Sequence, residues 1–200
     1  MTDTSPEDIQ DAYQRRAIAE IAALNDEITA CEPCQADSEL PVMSSGSPQA
    51  EIMLVKWSAG LSERQEGVAF FGRAGTAVLK SAQRLGIDPL TLYGTLLVKC
   101  THPDYDPGAQ LDWLRAEITI VSPGLVVVMG EPAAAALDAL EHPLSEPLQP
   151  EVGVLQRWTP TVDALIVPDI DESLDEQAAK RAFWAAFRVV GEWHQSQPPY

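Results

Sequence analysis

Three cysteines carry the most specific chemistry in this chain. Cys31 and Cys34 stand as a C-x-x-C pair, and Cys100 lies far downstream. Thiolates at that short spacing can close on one metal ion or a cluster, or they can remain simple thiols. The odd count speaks against a disulfide framework, and a reducing compartment keeps such sulfurs available. Basic side chains are the second resource. Lys56, Arg64, Arg73 and Lys99 fall on one expected face, where a local electropositive rim could meet phosphate. Gly72-Arg73-Ala74-Gly75 at a helix start could turn backbone N–H groups towards an anion, although a tight turn with close packing explains the same residues. Trp57 follows a charged residue at a strand end and reads either as a plug in a closed core or as a stacking platform. His142 and His194 lie in polar sequence without a partner at ligand spacing.

These side chains need a scaffold, and the periodicity supplies one. Ser5 suits an N-cap, Pro6 the first helical position, and Ile9, Tyr13, Ala17, Ile21, Leu24 and Ile28 form one stripe, so residues 6–30 are expected as an amphipathic helix. Residues 31–48 turn to Pro, Ser, Gly and acids and read as an ordered loop. Continuous apolar runs at 51–56, 91–99 and 125–129 have the look of buried strands, and 152–158 and 164–167 add two more. Helical stretches are expected over 73–85, 110–120, 130–140 and 173–193. Strands alternating with helices predict an α/β fold: three αβα layers around a central, mostly parallel sheet of four or five strands. The expected organisation is an N-terminal helix, residues 1–30, packed on a domain of residues 31–200. Sites on such sheets lie beyond the carboxyl ends of the strands. Here those ends are Lys56-Trp57-Ser58, Lys99-Cys100-Thr101, Gly130-Glu131 and Pro168-Asp169.

Composition narrows the functional classes. The chain has 200 residues, 46% of them hydrophobic and 22% charged, enough for a real core. Its 13 basic and 30 acidic residues leave a formal charge of −17. That balance disfavours a surface devoted to nucleic acid and leaves DNA only the local basic rim; a protein partner is the other option. No apolar run reaches the length of a membrane span, and the acidic start is unlike a signal peptide, so a cytoplasmic protein is expected.

Several segments together carry a resemblance. Cys31-x-x-Cys34, Ile52-Met53-Leu54-Val55, Phe70-Phe71-Gly72-Arg73-Ala74-Gly75, Leu97-Val98-Lys99-Cys100, Ser122-Pro123-Gly124 with Leu125 to Gly130, and Lys180-Arg181-Ala182-Phe183-Trp184 occur in this order. In them the chain resembles the iron–sulfur uracil-DNA glycosylases, the family 4 type, over about residues 31–193. The resemblance implies a domain that flips uracil out of DNA into a pocket. It also implies a [4Fe–4S] cluster on four thiolates. Cys31, Cys34 and Cys100 match three of them, and the fourth falls near Gln110. A nitrogen, oxygen or exogenous ligand could complete a three-cysteine cluster, with His102 the nearest candidate and Asp104 and Asp106 behind it. Zinc in a Cys3His site is equally sound coordination chemistry. Thiols without metal remain the third option.

The departures from the family pattern concern its reaction centre. The Gly-Glu-Ala-Pro-Gly motif is replaced by Lys56-Trp57-Ser58-Ala59-Gly60, so Trp57 stands where the catalytic carboxylate is expected. Arg64 falls on a second acidic position, and Leu96 on the base-reading Asn. Asp171-Glu172-Ser173 replaces the His-Pro-Ser motif, while Phe70, the ring that would stack on the base, remains. The expected base pocket is therefore Phe70, Trp57, Gly60, Leu96, Asp171 and Ser173. Cleavage of the glycosidic bond builds positive charge on the sugar and negative charge on the base, and neither Trp57 nor Leu96 can serve that. An Arg64–Asp171 ion pair across the pocket mouth, with Trp57 filling the uracil space, would close the site. The expectation is a divergent glycosylase-fold protein without uracil excision that acts by binding in DNA repair or to a protein partner. The alternatives are an active DNA base glycosylase using Asp171, Glu63 or Asp169, and a cluster- or zinc-bearing structural subunit.

Overall fold

A computed structural model describes residues 5–36, 40–100 and 107–198. The first described element is α1 (Pro6–Thr29), started by Ser5, whose hydroxyl accepts from the Asp8 amide while the Asp8 carboxylate accepts from Ser5 N. A short turn of helix, α2 (Glu32–Ala36), follows at the cysteine pair. The sheet holds β1 (Ser45–Gly46), β2 (Ile52–Ser58), β3 (Leu92–Val98), β4 (Leu125–Met129), β5 (Leu155–Arg157) and β6 (Asp163–Val167). Between them lie α3 (Leu61–Glu66), α4 (Arg73–Arg84), α5 (Pro107–Val121) and α6 (Glu131–Ala139), and α7 (Gln177–Ser196) closes the fold.

The strand order is β1-β3-β2-β4-β6-β5. β3, β2, β4 and β6 run parallel, with Ile52 opposite both Leu92 and Leu125, and Leu125 opposite Asp163. β1 and β5 add antiparallel edges. The six strands exceed the expected four or five because β1 is two residues of a Ser/Gly loop with no apolar pattern to announce it.

The apolar runs follow from burial on both faces. Met53, Val55, Val126 and Val128 pack with Leu114 and Ile118 of α5 and Leu137 of α6. Ile52, Leu54, Val127 and Leu165 pack on the opposite side with Val78 of α4 and Phe187 of α7. This is the expected αβα sandwich. Leu24 and Ile28 of α1 join Trp113 of α5 and the three cysteines in a separate cluster. Among the described residues no helix is long and apolar enough to cross a membrane.

Candidate functional site

β2 brings a lysine, not a tryptophan, into the interior at the expected reaction centre. Lys56 continues the face of Ile52 and Leu54 and is only 1% exposed. A buried ammonium requires partners. Lys56 Nζ donates to Glu63 Oε2 at 2.7 Å and to Asp171 Oδ2 at 2.5 Å, and it lies 5.6 Å from the centroid of the Phe70 ring. Glu63, buried on α3, is committed on both oxygens: Gly60 N also donates to Oε2 at 2.7 Å, and Phe70 N to Oε1 at 2.5 Å. Asp171 approaches from the turn after β6, where Asp169 Oδ1 accepts from the Asp171 and Glu172 amides and so fixes the turn. Its side chain is 42% exposed, making it the part of the network that meets solvent.

Phe70 is seated with unusual precision. Its φ is 59°, a left-handed backbone that a bulky residue rarely adopts. Two glycines make room. A Cβ on Gly75 would sit 1.5 Å from the Phe70 carbonyl oxygen, and one on Gly94 would sit 2.5 Å from ring carbon Cδ2. The Phe-Phe-Gly-Arg-Ala-Gly segment is thus a close-packed turn that presents the Phe70 ring. Leu96, fully buried, packs with Val42 and Ala69, and Phe70 and Ala59 lean on that cluster.

Other expected site residues are placed differently. Trp57 is 39% exposed and does not fill the pocket; strand alternation turns it away from the face that Lys56 occupies. It lines an open cleft of about 700 Å³ with Gly60, Glu131, Asp169, Asp171 and Glu172. Arg64 is exposed, and the Arg64–Asp171 pair does not form because Lys56 reaches Asp171 from inside. Ser173 is buried, but its hydroxyl donates to Asp169 O at 2.5 Å within its own turn. Nor does the four-member basic rim assemble. Lys56 is interior, and Arg73 is paired with Asp175 at 2.7 Å, which holds that carboxyl below its usual range. Lys99 is buried, with Nζ 3.0 Å from Glu117 Oε2 and 2.9 Å from Leu96 O, and also donates to Thr95 Oγ1. Glu117 further accepts from Thr95 Oγ1 at 2.7 Å and from Tyr93 Oη at 3.1 Å. Burial, reinforced by the Glu117 charge, pushes the Tyr93 phenol far up.

The second constellation is the cysteine centre. Cys31, Cys34 and Cys100 are all buried, and their sulfurs lie within 4.8 Å of one another. The odd count speaks against a disulfide, yet two of the three are joined. Cys34 and Cys100 form a disulfide, their Cα atoms 6.4 Å apart, and the free Cys31 sulfur lies 3.6 Å from Cys100 Sγ. Burial beside Leu24, Ile28 and Trp113 brings the sulfurs together, which an odd count could not reveal. With the disulfide reduced, the donor set fits a soft metal ion or an iron–sulfur cluster on three thiolates. His102, with Asp104 and Asp106, lies outside the described residues. Gln110, on α5, is buried with its carboxamide against the backbone of Lys99 and Cys100.

Sequence reasoning missed Lys56, Glu117 and Gln110 as organisers. A signal existed for the lysines. Each ends an apolar run, Ile52-Met53-Leu54-Val55 or Leu96-Leu97-Val98, where a charge can be buried only against a carboxylate.

The comparisons with known proteins agree with this fold. A family model described as the uracil DNA glycosylase superfamily matches residues 43–188. The type-4 uracil-DNA glycosylase of Archaeoglobus fulgidus is 24% identical over 177 residues, covering 83% of this chain and 89% of that protein. The type-4 uracil-DNA glycosylase of Pyrobaculum aerophilum is 27% identical over 126 residues, covering 59% of this chain and 64% of its own.

Proposed function

The chain belongs to the uracil DNA glycosylase superfamily, and from that premise we propose that it keeps the base-excision scaffold without the excision chemistry and acts by binding. The observation that carries this reading is Lys56. Its Nζ lies 5.6 Å from the centroid of Phe70, the ring that the family resemblance would stack on a base, and is held there by Glu63 and Asp171. Glu63 is only 2% exposed and pairs with Lys56, so it is shut away from the solvent water it would have to activate. Leu96 offers nothing to a pyrimidine edge. Trp57 cannot take a proton from water.

Charge favours a protein partner over duplex DNA. Glu131, Asp169, Asp171 and Glu172 line the cleft at the strand ends, where a phosphate backbone would have to approach. The cysteine centre serves structure in this reading. Reduced Cys31, Cys34 and Cys100 would hold an iron–sulfur cluster or zinc, tying the α1–α2 junction to the end of β3. The cytoplasm suits such a centre because it keeps thiols reduced. We take α1 as a helix docked on the domain that follows it, in line with the burial of Leu24 and Ile28.

One observation favours a second reading, an active base glycosylase with repositioned groups. The Lys56 ammonium could neutralise a departing base anion, and Asp171 has solvent access to orient water. One assay separates the two. Duplexes containing uracil, hypoxanthine or xanthine are incubated with the protein and free base is quantified, alongside salt-dependent gel shifts. The proposal expects no base release above background. Turnover that disappears in Asp171→Asn and Lys56→Met would replace it with the second reading.

A further inference from the structure

The cysteine centre has a neighbour whose side chain is fully employed. β3 ends at Val98, so the amides of Lys99 and Cys100 leave the sheet ladder inside the protein. Gln110 Oε1 accepts from Lys99 N at 2.7 Å and from Cys100 N at 3.2 Å. Gln110 Nε2 returns a hydrogen bond to Cys100 O at 3.3 Å. The segment is fixed from the other side as well, where Val42 N donates to Lys99 O at 3.0 Å. A carboxamide oxygen has two lone pairs, and both are occupied by these amides. Gln110 can brace the Cys100 segment or it can ligate a metal, but the same oxygen cannot do both.

We propose that Gln110 is a positioning residue that aligns Cys100 with Cys31 and Cys34, leaving a three-thiolate centre whose fourth coordination position no described residue fills and an exchangeable ligand can take. The inference rests on the reading of these cysteines as a metal site. Burial makes the brace effective. Cys100 Sγ must meet Cys31 Sγ, 3.6 Å away, from a segment that has just lost its strand partners, and hydrogen bonds to two successive amides set its direction. A centre closed by three protein sulfurs differs in kind from one closed by four. Closed sites are structural, whereas an open position admits solvent or a small donor and makes the bound metal exchangeable. Among the described residues no further His, Cys, Asp or Glu joins the three sulfurs.

Cobalt(II) titration of the reduced, full-length protein tests this, because thiolate-to-cobalt absorption grows with the number of sulfurs bound. The wild type is expected to show the absorption of three thiolates, and added imidazole to shift its ligand-field bands. Gln110→Ala should weaken cobalt binding by about tenfold or more, the usual effect of losing an outer-shell partner. Gln110→Cys should raise the charge-transfer intensity by about a third, as a fourth sulfur joins, and abolish the imidazole response. Wild-type affinity and spectrum in Gln110→Ala would overturn the bracing role. An unchanged intensity in Gln110→Cys would overturn the open position, and that variant decides the matter if Gln110→Ala does not fold. No cobalt absorption in the wild type would sink the metal-site reading and the inference with it. Cobalt binding without an imidazole response would sink the inference alone.

Discussion

At Lys56 a single side chain ties β2 to α3 and to the turn after β6. The ammonium is 2.7 Å from Glu63 and 2.5 Å from Asp171, with only the aspartate open to water. Desolvating such a charge is costly, so the arrangement is stable only while both carboxylates stay in place. Lys56→Ala leaves Glu63 buried with its backbone donors alone. We expect a loss of about 3 kcal/mol or more of unfolding free energy in urea titrations. Lys56→Met combined with Glu63→Gln, which removes both charges, should recover at least half of that. Equal losses in the single and double variants would show that packing, not charge pairing, governs the position.

At the scale of elements, the turn into α4 is built around Phe70. Its left-handed backbone is held by the Glu63 carboxylate and by two glycines in different elements, Gly75 on α4 and Gly94 on β3. Gly75→Ala would place a methyl 1.5 Å from the Phe70 carbonyl oxygen, which no rotamer change relieves. The expected cost is about 4 kcal/mol or more, seen as loss of soluble, folded protein. Exposed Thr76, one residue on, should accept alanine with little change in melting temperature. A well-folded Gly75→Ala protein would mean that the turn can relax, and that Phe70 is not locked where a base would stack.

Across the whole molecule, charge sorts into two populations. The surface carries most of a net −17, whereas Lys56 with Glu63 and Lys99 with Glu117 are buried pairs. Burial, reinforced by the Glu117 charge, raises the Tyr93 phenol above its ordinary value near 10. The sign follows from linkage. Tyr93 stays protonated in the fold, while the unfolded chain releases that proton above about pH 10. The unfolded state then binds fewer protons, so stability falls as pH rises. The contribution is whole below about pH 10 and shrinks progressively above it. Thermal melts through the alkaline range should show this decline, and Tyr93→Phe should flatten it. A Tyr93→Phe protein with the same alkaline slope would place the effect elsewhere.

The amino-acid order by itself determined the architecture. Ile52 to Val55, Leu92 to Val98 and Leu125 to Met129 are too uniformly apolar for anything but strands covered on both faces, and the amphipathic stretches between them had to be the covering helices. It also singled out the three cysteines and Phe70 as residues to follow. Only the tertiary structure decided which charges meet. Lys56 and Asp171 are 115 residues apart, and nothing local distinguishes that partnership from the expected one with Arg64. Trp57 lines an open cleft with Gly60 and Asp171 instead of plugging it, for a related reason. A one-residue difference along a strand reverses the face, so the lysine entered the interior and the tryptophan went to the cleft. Secondary structure is written in short-range periodicity, whereas the choice of partner for a buried charge depends on which distant segments the completed core brings within hydrogen-bonding reach.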